Sequence, residues 1–285
     1  VRAEGLSRRL LETLEEVRRE LATFDAETLA SREHLNQLQT DLLSLEEASR
    51  RLSASLPADE TPGDRVRAFV GDGDRQYLTG LKLGGQRTLV LVDASASMLA
   101  ETVVNVLVRR NLDAAQKRQA EKWRRAVDTV DWVLTQLPQG SYVQVYTFAE
   151  SAEPLVEGGA GGWHESGDRR ALDRTMAALR GTPPGGGTNL DAALAAVSRL
   201  SPRPDNLVLL VDGLPTQGEK RRRRGTVSGR DRLKLFNRAV QKLPSDLPVN
   251  VVLFPMEGDP DAPAAYWRLA LATRGSFLSP PEDWP

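Results

Sequence analysis

Apolar residues recur at alternating spacings of four and three positions along the N-terminal part of the chain, with Glu and Arg between them. The residues that keep this register are Leu10, Leu14, Val17, Leu21, Phe24, Leu35, Leu38, Leu42, Leu45, Leu52 and Leu56. A hydrophobic repeat of about 3.5 residues is typical of a left-handed coiled coil. The pattern therefore predicts a coiled-coil helix over residues 1–57 that dimerises through residues 10–56. A helix lying along the next domain and a hairpin bent near residues 23–28 are the alternatives.

The heptad pattern stops at the stretch LPADETPGDR, which contains Pro57, Pro62 and Gly63. Proline cannot continue a helix and glycine favours a turn, so this stretch ends the predicted coiled coil. The short segments VRAFVG and QYLTGLKLGG follow, and glycine punctuates both of them. We interpret residues 58–85 as a linker with an entry segment or hairpin.

From residue 86 onward, short apolar runs alternate with amphipathic segments. The predicted strands are RTLVLVD (87–93), SYVQVYTFA (141–149), an edge strand in AEPLVEG (152–158), DNLVLLVD (205–212), PVNVVLFP (248–255) and SFLSP (276–280). The predicted helices are a long helical stretch between the first two strands that ends at Leu137, then 169–179, 189–200, 230–243 and 266–274. Continuous apolar strands alternating with helices predict an α/β domain over residues 86–285 with a mostly parallel sheet and right-handed crossovers.

Oxygen-bearing side chains stand where three of these segments end. Asp93, Ser95 and Ser97 begin the loop after the first apolar strand, and Asp212 ends LVLLVD. Thr188 follows the glycine-rich loop GTPPGGG, just before a predicted helix. Ligands of parallel α/β sheets bind beyond the carboxyl ends of the strands, so we expect these side chains to converge. Carboxylates and hydroxyls without nitrogen or sulfur are the ligands that hard cations such as Mg²⁺ prefer.

In order and in spacing, the stretches DASAS, GGGTNLDAAL and VDGLPT resemble the metal-ion-dependent adhesion site of von Willebrand factor type A domains. The resemblance covers about residues 86–281 and implies a Rossmann-like, doubly wound sheet. It also implies that a hard divalent cation, Mg²⁺ or otherwise Mn²⁺ or Ca²⁺, is held by Asp93, Ser95, Ser97, Thr188 and Asp212. A carboxylate from a protein partner would complete the coordination. Ala96 stands where the family often has glycine, which narrows the backbone freedom of the first motif.

Two segments near the predicted site add to this pattern. AETVVNVLVRRNLDAAQKRQAE looks inserted before the amphipathic helix KWRRAVDTVDWVLTQL. Its apolar part either covers the site as a lid or docks a partner, or it belongs to a longer first helix packed on the sheet. The second segment is a basic run that forms either a solvated loop or a surface for an anionic partner, and its residues are Lys220, Arg221, Arg222, Arg223 and Arg224.

Composition excludes several classes of function. The formal net charge is −1, so the chain has no bulk attraction for nucleic acid or acidic membranes, and we expect no nucleic-acid binding. The sequence has no cysteine, which excludes thiolate zinc sites and cysteine nucleophiles. No serine-hydrolase elbow is present, and Ser95 stands where a phosphoryl-transfer site of the haloacid dehalogenase kind needs a second aspartate. Of the two histidines, His34 falls in the predicted coiled coil and His164 in a glycine-rich loop, so we expect no catalysis.

Two functional hypotheses remain open. In the first, the domain binds an acidic residue of a protein partner through its metal ion, and a coiled-coil stalk displays it. In the second, it resembles the type A domains of magnesium chelatase and its relatives and recruits a substrate or partner to an AAA+ ATPase. The chain begins at Val1 rather than Met. We therefore expect an upstream segment that anchors it in a bacterial cell envelope, with a cytoplasmic location as the alternative.

Overall fold

The computed structural model describes residues 81, 83–218, 227–281 and 284. All of them belong to the second of two units into which the chain divides, Asp64–Pro285. The predicted coiled coil, most of the linker and the basic run 220–224 lie outside the described residues, and those predictions stay predictions.

A central sheet is the core of this unit, and seven strands form it within the described residues. They are β1 (Arg87–Asp93), β2 (Tyr142–Phe148), β3 (Ala152–Pro154), β4 (His164–Glu165), β5 (Asn206–Val211), β6 (Val249–Leu253) and β7 (Phe277–Leu278). The strand order is β3-β2-β1-β5-β6-β7, and β4 pairs with β2 outside this path. All pairings are parallel except those of β3 and β4 with β2. The predicted mostly parallel sheet is therefore confirmed.

The central strands are apolar at consecutive positions because helices cover both faces of the sheet. In β1, Leu89 and Leu91 belong to one buried cluster, whereas Val90 and Val92 belong to the other. Successive side chains of a strand point to opposite faces, so a strand covered on both sides must be apolar throughout. The continuous run RTLVLVD therefore has the composition that its central position requires.

Helices flank the sheet on both sides. They are α1 (Val103–Arg109), α2 (Ala114–Arg118), α3 (Glu121–Thr135), α4 (Arg169–Gly181), α5 (Leu190–Ala195), α6 (Gly229–Val240) and α7 (Ala262–Ala272). Three short 3-10 turns, Ala96–Leu99, Ala160–Gly162 and Ala196–Arg199, complete the described elements. Buried residues of α3 and α4 pack on one face, and those of α5, α6 and α7 pack on the other. This doubly wound arrangement is the Rossmann-like fold expected from the sequence.

The segment between β1 and α3 corrects one expectation. A longer first helix is wrong, because the chain forms the 3-10 turn, α1 and α2 as separate elements before α3 begins. The Thr102 side chain caps α1 by accepting from Asn105 N. Asp113 and Gln116 form a reciprocal capping box at the start of α2. Each cap satisfies amide groups that would otherwise lack partners, so each one begins a new helix.

Two other predicted helices have different bounds in the structure. The helix predicted over residues 189–200 is α-helical only over Leu190–Ala195 and continues as a 3-10 turn to Arg199. The helix predicted from residue 266 begins earlier, at Ala262, with a proline in its first turn. Proline is tolerated there because the first helical amides have no intrahelical acceptor. Within the described parts of the chain, every helix is too short or too polar to cross a membrane.

Candidate metal centre

The five predicted metal ligands lie together at the carboxyl edge of the sheet. Asp93 is the last residue of β1, and Asp212 directly follows β5, the parallel neighbour of β1. Ser95 and Ser97 continue the loop after β1, and Thr188 lies just before α5. Because neighbouring parallel strands end at the same edge, residues that are distant in sequence meet there.

Hydrogen bonds join the side chains of the group. The Thr188 hydroxyl donates to Ser95 Oγ over 3.0 Å, and the hydroxyls of Ser95 and Ser97 share a hydrogen bond of 2.9 Å. Ser97 Oγ donates to Asp212 Oδ1 over 2.9 Å. Asp93 Oδ1 accepts from the Ser95 amide at 2.8 Å. Four of these residues are buried and Ser97 is half-buried, so Ser97 is the member of the group that faces solvent.

Backbone hydrogen bonds join the glycine-rich loop before Thr188 to the DASAS loop. Gly185 N donates to Ala94 O at 2.8 Å, and Ala96 N donates to Gly186 O at 3.0 Å. Gly186 has φ of +79°, a conformation that residues with a Cβ rarely adopt. The two backbone hydrogen bonds therefore set where Thr188 lies relative to the DASAS loop.

Thr188 also forms hydrogen bonds with the loop that follows β5. Thr216 N and Gln217 N donate to Thr188 O at 2.9 and 3.0 Å. In return, Thr188 N donates to Thr216 Oγ1 at 3.1 Å. This role of Thr216 was not predicted from the sequence, although Thr216 belongs to the VDGLPT stretch. With the bonds to the first motif, these contacts hold all three loops in one network.

A second set of buried groups holds the loop after Asp212. Leu214 N donates to Asp259 Oδ2 at 2.6 Å, and the same carboxylate pairs with Arg232 at 2.8 Å. Arg232 Nε donates to Leu214 O at 3.1 Å, and the Tyr266 hydroxyl donates to Gly213 O at 3.0 Å. Asp259 and Arg232 were not predicted from the sequence either, because no local pattern marks either residue.

Lys122, which was not predicted from the sequence, forms a buried ion pair at this site. Its ammonium pairs with Asp212 Oδ2 at 2.8 Å, and both side chains are only 2% exposed. The same ammonium donates to Ala100 O at 3.3 Å and to Ser97 O at 3.4 Å. One signal was available, because Lys122 shares the buried stripe of α3 with Ala126. A lysine in an apolar stripe requires a buried partner.

Asp93 provides a test of whether a cation fits this site. Its side chain is buried, and no group among the described residues donates a hydrogen bond to its Oδ2 atom. Burial, followed by the nearby charge of Asp212, raises the pKa of Asp93 to about 7. A buried carboxylate oxygen without a partner is costly, and a bound cation would provide that partner.

The donor set also fits a hard cation. It consists of two carboxylates and three hydroxyls, all of them oxygen donors. No cluster of three or more His, Cys, Asp or Glu that could hold a metal occurs in the described portion of the chain. Hydroxyl ligands are therefore essential to any metal site at this edge of the sheet.

An exposed apolar helix lies beside the candidate centre. In α1, which follows the turn that carries Ser97, only Val106 is buried. Arg109 Nη1 donates to Leu99 O at 2.9 Å and joins the helix to that turn. The exposed fractions are 45% for Val103, 69% for Val104, 49% for Leu107 and 65% for Val108. We refer to these four residues as the α1 face.

Comparisons with known proteins agree with this fold. Residues 88–214, which include all five candidate ligands, match the von Willebrand factor type A domain family. This part of the chain is therefore similar to von Willebrand factor type A domains and has their Rossmann-like fold. Domains of this type typically act as protein-interaction modules.

Several solved structures are similar in fold. A von Willebrand factor type A protein from Catenulispora acidiphila shares 18% identity at a TM-score of 0.48, with 69% of this chain and 39% of that chain covered. The ArnB paralog VWA2 from Sulfolobus acidocaldarius shares 20% identity at a TM-score of 0.36, with 69% and 41% covered. A mutant of the PilB minor pilin from Streptococcus sanguinis shares 13% identity at a TM-score of 0.43, with 69% and 57% covered. The chain thus spans less than two thirds of the length of each of these proteins. A comparison with curated proteins gives no match.

Proposed function

We propose that this domain binds a protein partner by coordinating one of its acidic side chains through a divalent cation, with Mg²⁺ as the physiological ion. The observation that carries the proposal is the buried Asp93 Oδ2, which lacks a hydrogen-bond donor among the described residues beside a group of oxygen ligands. The ligands would be Asp93, Ser95, Ser97, Thr188 and Asp212. Mn²⁺ or Ca²⁺ would suit the same oxygen donors.

The charge balance explains why an acidic partner is favoured. The candidate ligands have two carboxylates, and Lys122 already neutralises Asp212. The three hydroxyls contribute no formal charge. When bound, a divalent ion would keep a net positive charge and an affinity for one more oxygen ligand. A carboxylate approaching beside the half-buried Ser97 would supply that ligand.

The α1 face is the surface that we propose for the rest of the same protein partner. Its apolar side chains are exposed, and the helix is joined to the turn that carries Ser97. Burying apolar surface contributes about 25 cal/mol per Å². A partner with an aliphatic or aromatic residue near its acidic residue would therefore gain affinity from both contacts. This position favours the docking interpretation of the inserted segment.

We further propose that the site does not catalyse a reaction. Ser95 Oγ interacts with the hydroxyls of Thr188 and Ser97, neither of which can act as a general base. His164 is in β4 and pairs with Val143, near the amino end of β2. The candidate metal centre is at the carboxyl edge of the same sheet, so His164 is at the opposite edge.

Selection from a displayed random-peptide library tests this function directly. The immobilised chain would be screened in Mg²⁺ and in EDTA, and a folded Asp93→Asn variant would be screened in Mg²⁺. We expect peptides with an Asp or Glu at a fixed position from the wild type in Mg²⁺ only. The same peptides in all three selections would overturn the proposal.

Two variants test the α1 face in the same selection. Leu107→Lys should remove the preference for an apolar residue near the acidic position. Leu271→Lys is the matched control, because Leu271 is a 65% exposed leucine near the end of α7. That helix end lies at the amino edge of the sheet, where Thr273 accepts from Val249 N. An equal effect of both variants would contradict the assigned surface.

Display on a stalk is the remaining part of the proposal. A coiled coil over residues 10–56 would join two domains, and two linked sites gain avidity without any new contact. Sedimentation equilibrium of the full chain should give a dimer, and Leu38→Lys combined with Leu42→Lys should give a monomer. A monomeric wild-type chain would exclude this arrangement.

A further inference from the structure

The ion pair between Lys122 and Asp212 has an unusual position for a buried pair. It lies inside the candidate metal centre, with an N–O distance of 2.8 Å. Both Asp212 oxygens are engaged, because Oδ2 accepts from Lys122 and Oδ1 accepts from Ser97. Lys122 belongs to α3 and not to any of the three loops that carry the candidate ligands.

The two carboxylates of the centre therefore differ in their surroundings. Asp212 has a cation and a hydroxyl as partners. Asp93 has the Ser95 amide on one oxygen and no donor among the described residues on the other. A divalent ion entering this site would meet Asp93 as the carboxylate with a free oxygen. It would also meet Lys122 as a like charge.

We propose that Lys122 is a resident cation that sets the metal affinity of the centre. It holds Asp212 in place when no ion is bound, competes with the ion for Asp212 Oδ2, and lowers the affinity for divalent ions by electrostatic repulsion. This inference rests on the proposed metal site. Lys122 is a positioning residue, because it acts on the ion through charge and through Asp212.

Neutralising Lys122 has two opposite effects under this proposal. The metal-free protein loses stability, because Asp212 becomes a buried charge without its partner. The metal affinity increases, because a repelling charge is removed and Asp212 becomes available to the ion. A purely structural lysine would produce the first effect without the second.

The test is calorimetric titration with MgCl₂ of the full-length wild type, Lys122→Met and Lys122→Arg, with thermal melting in EDTA as a companion measurement. Lys122→Met should melt at a lower temperature in EDTA and bind Mg²⁺ about tenfold more tightly. Lys122→Arg keeps the charge and should bind Mg²⁺ like the wild type. Equal or weaker binding by folded Lys122→Met would overturn the proposal.

A second comparison applies if Lys122→Met does not fold. Asp212→Asn and the double variant Lys122→Met with Asp212→Asn differ only at Lys122, and the double variant removes both charges of the buried Lys122–Asp212 pair. The double variant should bind Mg²⁺ about tenfold more tightly than Asp212→Asn. Equal affinities would overturn the role of Lys122.

The outcomes separate this inference from the proposed function. If the wild type binds Mg²⁺ and the loss of Lys122 brings no gain, only the role of Lys122 fails. If the folded wild type and Lys122→Met both fail to bind Mg²⁺, the metal site itself fails, and this inference fails with it.

Discussion

Thr188 Oγ1 donates a hydrogen bond of 3.0 Å to Ser95 Oγ, although the two residues are 93 positions apart in the sequence. Both side chains are buried, and they come from different loops at one edge of the sheet. Hydrogen bonds of this kind arrange the candidate ligands without requiring an ion. The conformational cost of assembling the site is therefore met during folding, which favours binding.

Magnesium should stabilise the wild type. At free Mg²⁺ one hundred times above the dissociation constant, the free energy of unfolding should rise by about 2.7 kcal/mol, or roughly 5–10 °C in Tm. Thr188→Val removes one ligand hydroxyl and should lose most of this shift. Thr182→Val is the control, because Thr182 donates to Ala178 O at the end of α4 and is outside the site. Differential scanning calorimetry checks both, and an equal Mg²⁺ shift in both variants would contradict Thr188 as a ligand.

The pKa of Asp93 gives a pH-dependent prediction for the metal-free protein. Folding raises this pKa from 3.8 to about 7, so between these values the folded state binds more protons than the unfolded state. The Asp93 carboxyl therefore destabilises the fold progressively as the pH rises through this range. Asp93→Asn removes the effect. Relative to the Tm of the wild type, the Tm of this variant should therefore rise by about 6–12 °C between pH 4.5 and 7.5 in EDTA. A constant difference across this range would exclude the raised pKa.

Asp259 should be essential for the loop that carries Asp212. Asp259→Ala leaves Arg232 without its buried partner and Leu214 N without its acceptor, at a cost of about 3–5 kcal/mol. Asp173→Ala is the contrasting change, because Asp173 pairs with Arg169 on the exposed surface of α4. Asp173→Ala should lower the free energy of unfolding by less than about 1 kcal/mol. Urea unfolding measures both, and similar losses would show that Asp259 has no special role.

Gly186 should tolerate substitution less well than its neighbour. Gly186→Ala forces a side chain into φ of +79° and brings Cβ to 3.3 Å from Glu150 Cγ, so we expect a loss of about 1–2 kcal/mol. Gly185→Ala has no atom within 4 Å of the added Cβ and no such backbone conformation. Its stability should stay within about 0.5 kcal/mol of the wild type. Equal losses of stability for Gly186→Ala and Gly185→Ala in thermal melts would contradict a requirement for glycine at position 186.

The parts of the fold that were predicted correctly are those with short-range signals. The run RTLVLVD predicted a strand over 87–93, and β1 is Arg87–Asp93. Its apolar residues are consecutive, and the candidate ligands begin at the last residue of the strand. The break between α1 and α2 was missed, because it depends on single caps at Thr102 and Asp113 within a segment of continuing helical composition.

The sequence by itself determined which ligands are available and at which edge of the sheet they would lie. Whether a side chain can offer an oxygen ligand depends on the residue type alone. The end of an apolar strand can be recognised from the residues next to it in the sequence. Only the tertiary structure placed Lys122 against Asp212, 90 positions away, and Asp259 against Leu214, 45 positions away. These contacts depend on how α3 and the segment after β6 pack at the carboxyl edge. No local pattern encodes that packing, because it is the combined result of the sheet order and of both layers of helices.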